Sequence, residues 1–464
     1  MESNEEKLVR KSLKLSVLEG TWAVVFSLLL QGFVFTKIAL EFGADEVLLG
    51  LILGIQLLSQ VFQLFVPRIV SRLGHRKKFV ISFISVSRGM WILFLVFPLL
   101  GWVSPNLFLI VASASYITGA FAGNAWTSWI RDLVPQEKMG RFFGLRNLVH
   151  SFSSLVFTFV FSRILDTWPN MTGVRFVLLI GISAGFASLF ILSRQYEPPV
   201  KELVQGNLFA ILKSSQNYRR LLAFGGFWNF SILFTAPFFP LHQLKNLNVN
   251  FTLLGYLSIV ASLVIILFYW IWGRVADRVG HKNILRIGIT SAGMVAFMWF
   301  FMTPETMGTL LWVDAVATGV GWSAINLAMF TLPLLVGGES ASIIFGFFAA
   351  FNGVCGFAGS LVGGFAAKAV STTTFSLGPL SMYGIQILFL ISGVLRLISL
   401  FFLGKVSVTG HVKLRTVFFQ KVMGINRRIT RDLFEPIPRY LLMRTVPGAK
   451  KAQIPLRKTE RDVL

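Results

Sequence analysis

A single cysteine in 464 residues, Cys355, excludes an intramolecular disulfide and any cysteine-built metal cluster. Charge is scarce too. Only 14% of the residues are Asp, Glu, Lys or Arg, against ~25% in an ordinary soluble domain. Acids are the rarer sign, 20 against 43 Lys plus Arg, which leaves a formal charge of +23. The five histidines form no ligand cluster. No glycine-rich lysine loop is present to cradle phosphate, and no other enzyme signature appears. No catalytic residue, metal site or cofactor is therefore expected. What the chain has instead is grease: 55% hydrophobic residues, 47 of them Phe, and a mean hydropathy of +0.71. Water is the wrong solvent for such a surface.

A helix needs ~20 mainly apolar residues to cross a bilayer. Windows of that length predict an all-α membrane protein with twelve transmembrane helices at 18–40, 46–67, 79–100, 107–130, 147–167, 174–194, 221–242, 251–272, 284–303, 308–335, 342–367 and 381–403. The charged start followed by a span-length apolar run, with no small-residue cleavage pattern, reads as a retained first span. Alternate connections hold the Lys and Arg, for example Arg72, Arg76, Lys77 and Lys78 after the second span and Arg274, Arg278, Lys282 and Arg286 after the eighth. The intervening 42–46 holds only acids and 101–106 no charge at all. Because short cytoplasmic loops hold the excess of positive charge, a multi-pass protein with both termini cytoplasmic is predicted. That placement of charge favours an anionic leaflet over nucleic acid as the partner.

The chain repeats itself. Pro67, Ser71, Arg72, Gly74, His75 and Arg76 follow the second span; Gly273, Asp277, Arg278, Gly280, His281 and Lys282 follow the eighth. Arg72 and Arg278 stand 206 positions apart, as do Trp22 and Trp228. Two homologous six-span halves in parallel orientation follow, 1–193 and 221–404, joined by a polar linker at 194–220 that includes Pro198 and Pro199. Repeats with a site at their interface are the architecture of secondary transporters.

The two loops resemble the signature loop of the major facilitator superfamily, the copy with Asp277, Arg278, Gly280, His281 and Lys282 most closely. The first copy departs from it, with Ser71 at the acid's place and Pro67 at the glycine's. The resemblance, to a bacterial-type member in the inner membrane, implies two six-helix bundles around a midplane site. The implied function is secondary active or facilitative transport of a small organic solute by alternating access. It assigns Arg72, Gly74, Asp277, Arg278 and Gly280 to gating, with Asp277 as a latch. The rivals are a non-transporting sensor or scaffold of the same fold, and a carrier of lipids, lysolipids or drugs.

The same resemblance has the first, fourth, seventh and tenth spans lining the cavity. Their polar and indole side chains are Gln31, Asn124 and Trp126, Trp228 and Asn229, and Trp322 and Asn326, with Asn352 in the eleventh span a lesser candidate. Amides and indoles suit an uncharged, hydroxyl-bearing or amphipathic solute. Each amide has an interhelical hydrogen bond as its plainer use. Glu19, Arg88 and Asp314 are the charges expected at membrane depth; Glu19, Lys37 and Arg396 are close enough to span ends to snorkel. With no carboxylate clearly at the midplane, weak or absent proton coupling is expected. Residues 405–464 form a basic tail with an amphipathic stretch that suits the anionic cytoplasmic leaflet. A monomer is expected.

Overall fold

In lipid, backbone N–H and C=O groups must find partners within the chain, which leaves helices as the means of crossing. A computed structural model describes residues 4–135, 139–199, 215–337, 341–377 and 380–408, all within the compact unit formed by residues 1–411. The linker residues 200–214 and the tail from 409 lie outside the described residues. Among those described, 11 helices are long and apolar enough to cross a membrane, and a shorter apolar helix over Glu46–Phe62 stands at the second span's place. The spans are, in order, Asn4–Ser27 with Gly32–Glu41; Glu46–Leu58; Arg76–Gly89 continued to 99; Pro105–Leu133; Met139–Thr167; Met171–Ser193; Gln216–Leu233 with Phe238–Leu241; Phe251–Val279; His281–Phe300; Met307–Gly337; Ala341–Val370; and Ile385–Lys405.

Helix starts follow side-chain caps. Asp45 accepts from Leu48 N–H, Asn170 from Thr172 N–H and Asn250 from Leu253 N–H, each satisfying an otherwise orphaned donor. Several boundaries differ from expectation: the fifth helix begins at Met139 rather than 147 and the eighth runs to Val279 rather than 272. The first helix begins at Asn4 rather than 18, so its charged leading turns are helical as well. The twelfth begins at Ile385 rather than 381, because Leu380–Tyr383 pairs antiparallel with Thr374–Leu377 in a hairpin (β1, Thr374–Leu377; β2, Leu380–Tyr383).

The repeat seen in the sequence is also a repeat of contacts. Gly74 and Gly280 both adopt positive φ, 70° and 84°, where the loops turn from one helix to the next. Just beyond them, Arg76 Nη2 donates to the Pro198 carbonyl at 2.8 Å, and Lys282 Nζ donates to the Gly404 carbonyl at 3.1 Å and the Val406 carbonyl at 2.6 Å. Arg76 and Lys282 are 206 positions apart, and so are Pro198 and Gly404. In each half a buried cation thus straps the signature loop to the chain leaving the sixth helix. Arg76 is further tied to Asp132 at 2.5 Å and to Ser128. Arg72 and Gly74 are exposed. The side chains of Ser71, Asp277 and Arg278 lie outside those described, so the latch expected at Asp277 does too.

The halves meet through the second and eleventh spans and the fifth and eighth, and their polar ties gather at the end of the bundle opposite Asn4, here the distal end. Lys245 pairs with Glu46 at 2.9 Å and Lys368 with Asp45 at 3.1 Å. Asp166, ending the fifth span, accepts from the backbone N–H of Phe251 at 2.7 Å and Thr252 at 2.5 Å, so it caps a helix of the other half. Deeper, Ser360 Oγ donates to the Gly50 carbonyl at 2.6 Å. Close approach there needs glycine: a Cβ on Gly50 would stand 2.6 Å from the Ser360 carbonyl oxygen. Gly359 and Gly363 of the same eleventh helix face Phe230 and Phe234 of the seventh instead. That glycine-rich helix therefore packs tightly on both sides.

Gly363→Ala, whose methyl would meet the Phe234 carbonyl inside one half, should cost about 1–3 kcal/mol of stability by overpacking, read as a lower melting temperature. Gly50→Ala should instead loosen the distal seam, read as a longer distance between spin labels on Trp168→Cys and Asn248→Cys in a Cys355→Ser background. Acid should act on the same seam. Burial alone raises the Asp45 carboxyl, but the Leu48 N–H and the Lys368 ammonium outweigh it and hold it below its ordinary value. A carboxyl held low in the closed form supports closure above that ordinary value and stops doing so as pH falls through the lowered one. The same labels should then show progressively more of the long distance as pH is lowered from about 6 to well below the ordinary aspartate value of about 3.9; a distribution that stays constant throughout would remove Asp45 from the seal.

Candidate functional site

Two helices of this fold are broken, at matching places. The first is helical to Ser27 and tightens through Leu28–Leu30; it then unwinds at Gln31, which is extended with φ −157° and ψ 168°, and restarts at Gly32. Gly32 has φ +66°, a backbone region costly for any residue with a Cβ. The seventh stops at Leu233, turns over 234–237 and restarts at Phe238. Pro237 and Pro240 help fix that interruption, since neither has an N–H to give the ladder.

Between the breaks lies a cavity of about 230 Å3 whose polar lining is Gln31, Thr36 and Gln56, facing Leu53, Leu57, Leu233, Pro237 and Pro240. Thr36 already donates its hydroxyl proton to the Gly32 carbonyl at 3.1 Å, which leaves its oxygen as an acceptor. Among the described residues the Gln31 and Gln56 carboxamides make no hydrogen bond. Two unspent amides and a hydroxyl acceptor therefore face a pocket with no charge on its wall.

Of the expected cavity residues, the structure brings Gln31 to this pocket. Asn229 is half-buried and donates to the Gly225 carbonyl of its own helix at 2.9 Å. Trp228 is buried in the apolar core of the second half, where Trp322 packs partly buried. Asn326 is exposed and Asn124 half-buried, and neither lines the pocket. Asn352 lies against Gly225, its Oδ1 buried without a hydrogen-bond partner. Gln56, Thr36, Gly32, Pro237 and Pro240 went unnoticed in the sequence. The signal available for them was the Gly or Pro interruption of two hydrophobic segments at corresponding positions of the halves.

The charges expected at membrane depth sit elsewhere, each tied within its own half. Glu19 pairs with Arg146 at 3.4 Å and accepts from Ser188 Oγ at 2.9 Å, and the Arg146 guanidinium lies over Trp126 at 4.8 Å. Arg88 donates to the Gly185 carbonyl at 2.5 Å and faces the Phe26 ring. Arg396 donates to the Ala292 carbonyl at 3.0 Å and faces Phe239. Asp314 accepts from Trp299 Nε1 at 2.8 Å and Thr318 Oγ1 at 3.1 Å. Glu19 and Arg396 thus do not snorkel as expected, because partners inside the bundle satisfy them. Both arginines thus find backbone carbonyls as partners. Lys37 is held near the distal end by Glu41 and the Pro169 carbonyl.

The whole arrangement has relatives. The nucleoside transporter NupG, in a point-mutant form, is similar with a TM-score of 0.67 at 14% identity, over 85% of this chain and 99% of that one. A D-xylose-proton symporter gives 0.66 at 14% identity, over 88% and 100%, and the xylose transporter XylE from E. coli, partially occluded and inward open, gives 0.61 at 16%, also over 88% and 100%. At such identities the likeness shows a shared fold. No curated protein sequence matches the chain. The family profile described as Major Facilitator Superfamily matches residues 19–360, nearly three quarters of the sequence, and with this fold, these paired breaks and these repeated loops the chain belongs to that superfamily.

Proposed function

We propose that this membrane transporter carries a small, uncharged, polar organic solute, bound between the helix breaks of the first and seventh spans. The single observation that supports this most is the pair of unbonded carboxamides, Gln31 and Gln56, on a pocket wall without charge. An amide donates and accepts at once, which matches hydroxyls or amides of a neutral solute and gives an anion or cation no counter-charge. The leucine and proline walls suit the apolar faces of a ring. A pocket of about 230 Å3 has the scale of a monosaccharide or a nucleoside, the kinds of molecule named for the similar structures.

Alternating access follows from how the contacts are distributed. Apart from Glu46, which Lys245 meets from across the seam, the buried charges are satisfied inside each six-span half, 1–193 or 221–404, so each half can tilt as a body with the linker 194–220 accommodating the motion. The distal ties are two ion pairs with exposed lysines, one helix cap and one hydroxyl bond; an exposed pair such as Lys368 with Asp45 is worth about 0–1 kcal/mol, which suits a seal that must reopen. Basic loops at the end nearer Asn4 favour both termini on the cytoplasmic side of a bacterial inner membrane. The present conformation is then closed to the outside, and the pocket, where Gln31 and Gly32 are exposed, would be reached from the cytoplasm. The signature loops would gate that inner side through Arg72, Gly74, Asp277, Arg278 and Gly280. The basic tail 405–464 would rest on the anionic leaflet, and the carrier would work as a monomer.

Gln31→Leu and Gln56→Leu should each weaken solute binding about 5–15-fold, the ~1–1.5 kcal/mol of one neutral hydrogen bond. Thermal stability without solute should stay unchanged, since neither amide holds the fold together. Thermal-shift titration with pentoses, hexoses and nucleosides, followed by counterflow in proteoliposomes, reads both. Counterflow of charged solutes with indifference to neutral ones would refute the proposal, and reporter fusions that put Ser71 and Asp277 on opposite faces of the membrane would refute its topology.

A further inference from the structure

The distal mouth holds a second cavity, of about 280 Å3, walled by residues of both halves. Its cations are Lys37 from the first span and Lys245 from the end of the seventh. The carboxylates that pair with them, Glu41 and Glu46, do not line it. An ammonium has three N–H donors. Lys37 uses two, on Glu41 and the Pro169 carbonyl at 2.7 Å, and Lys245 uses one, on Glu46 at 2.9 Å. Donors of like charge from opposite halves therefore remain for a ligand, with the exposed Asn248 amide, which makes no hydrogen bond among the described residues, beside them. Leu244, Pro169 and Phe251 supply an apolar wall.

The backbone here is also unusual. Asn248, at φ 50°, is the non-glycine residue with positive φ among those described, and such conformations gather at ligand clamps and switches. Lys245 belongs to a π-helical turn, His242–Asn246, a form that recurs at functional sites. The turn is anchored by buried His242, whose Nε2 meets the Met302 carbonyl at 3.0 Å and whose Nδ1 meets Asn246 Nδ2 at 2.9 Å.

We infer that this mouth is a binding site for the anionic group of a small amphiphilic molecule, a carboxylate on a short apolar body or the head group of an anionic lipid, bridging Lys37 and Lys245. Because it contacts both halves only when they are closed together, such a ligand holds the distal end shut. The inference stands apart from the neutral-solute reading of the central pocket, and a failed counterflow experiment leaves it untouched.

The test uses the full chain in phosphatidylcholine nanodiscs with benzoate as the probe. Benzoate should raise the melting temperature with dose and shorten the distance between spin labels on Trp168→Cys and Thr372→Cys in a Cys355→Ser background, positions that do not line the cavity. Both effects should need about tenfold more benzoate in Lys37→Gln and in Lys245→Gln, and Lys245→Arg should restore them. Discs made with phosphatidylglycerol identify the other source: a stabilisation present without benzoate, competed by it and lost in the same variants, assigns the site to lipid. Benzoate stabilisation kept in either Gln variant, or no response of the native chain to benzoate and to phosphatidylglycerol alike, overturns the inference.

Discussion

The bilayer's refusal to hydrate a bare peptide group governs this molecule. Each helix must satisfy its own backbone, so a broken helix at membrane depth is tolerated where it lines a water-filled cavity or is buried in protein. Breaks at Gln31–Gly32 and at 234–237 are therefore the most informative departures from regularity in the chain. They fall at matching places of the two halves and face one cavity, and the side chains that join them there, Gln31 and Gln56, are polar groups without hydrogen-bond partners among the described residues. A carrier that must bind and release a neutral molecule needs groups of that kind.

Around this site the structure keeps strong interactions within the halves and weaker ones between them. Removing one partner of a buried ion pair costs about 3–5 kcal/mol, and the buried pairs Arg76–Asp132 and Glu19–Arg146 lie inside the first half. In the second half the cations Lys282 and Arg396 are likewise met by carbonyls of their own half. The interface is held by pairs whose lysines are exposed, Lys245 with buried Glu46 and Lys368 with Asp45. A gap of a few kcal/mol between access states is what lets a ligand of ordinary affinity shift the population.

Most of the fold was legible in the sequence because the hydropathy signal is long-range and insensitive to detail. Twelve apolar segments, the alternation of basic loops and the repeat at 206 positions needed no knowledge of side-chain contacts. The repeat proved deeper than its motif, since Arg76 and Lys282 reach carbonyls at equally spaced positions although one is a guanidinium and the other an ammonium. The hairpin of β1 and β2 was hidden: Leu380–Tyr383 reads as the apolar opening of a span, and cross-strand pairing leaves no periodic trace in four residues. The partners of Arg88 and Arg396 were hidden as well, because a backbone carbonyl has no identity in the sequence.

The site was legible only in part, for a physical reason. An amide in a hydrophobic span advertises a need for hydrogen bonds without saying whether the protein or a ligand meets it. Asn229 meets that need on its own helix at Gly225, whereas Gln31 cannot, because the backbone around it is unwound. What separates the two is not the side chain but the neighbouring glycine or proline that interrupts the ladder. Gln56 has no such neighbour and is revealed only by its place opposite the break. In a chain of this kind, an amide beside a paired interruption marks the binding site better than an amide in an unbroken helix, however deep that helix lies.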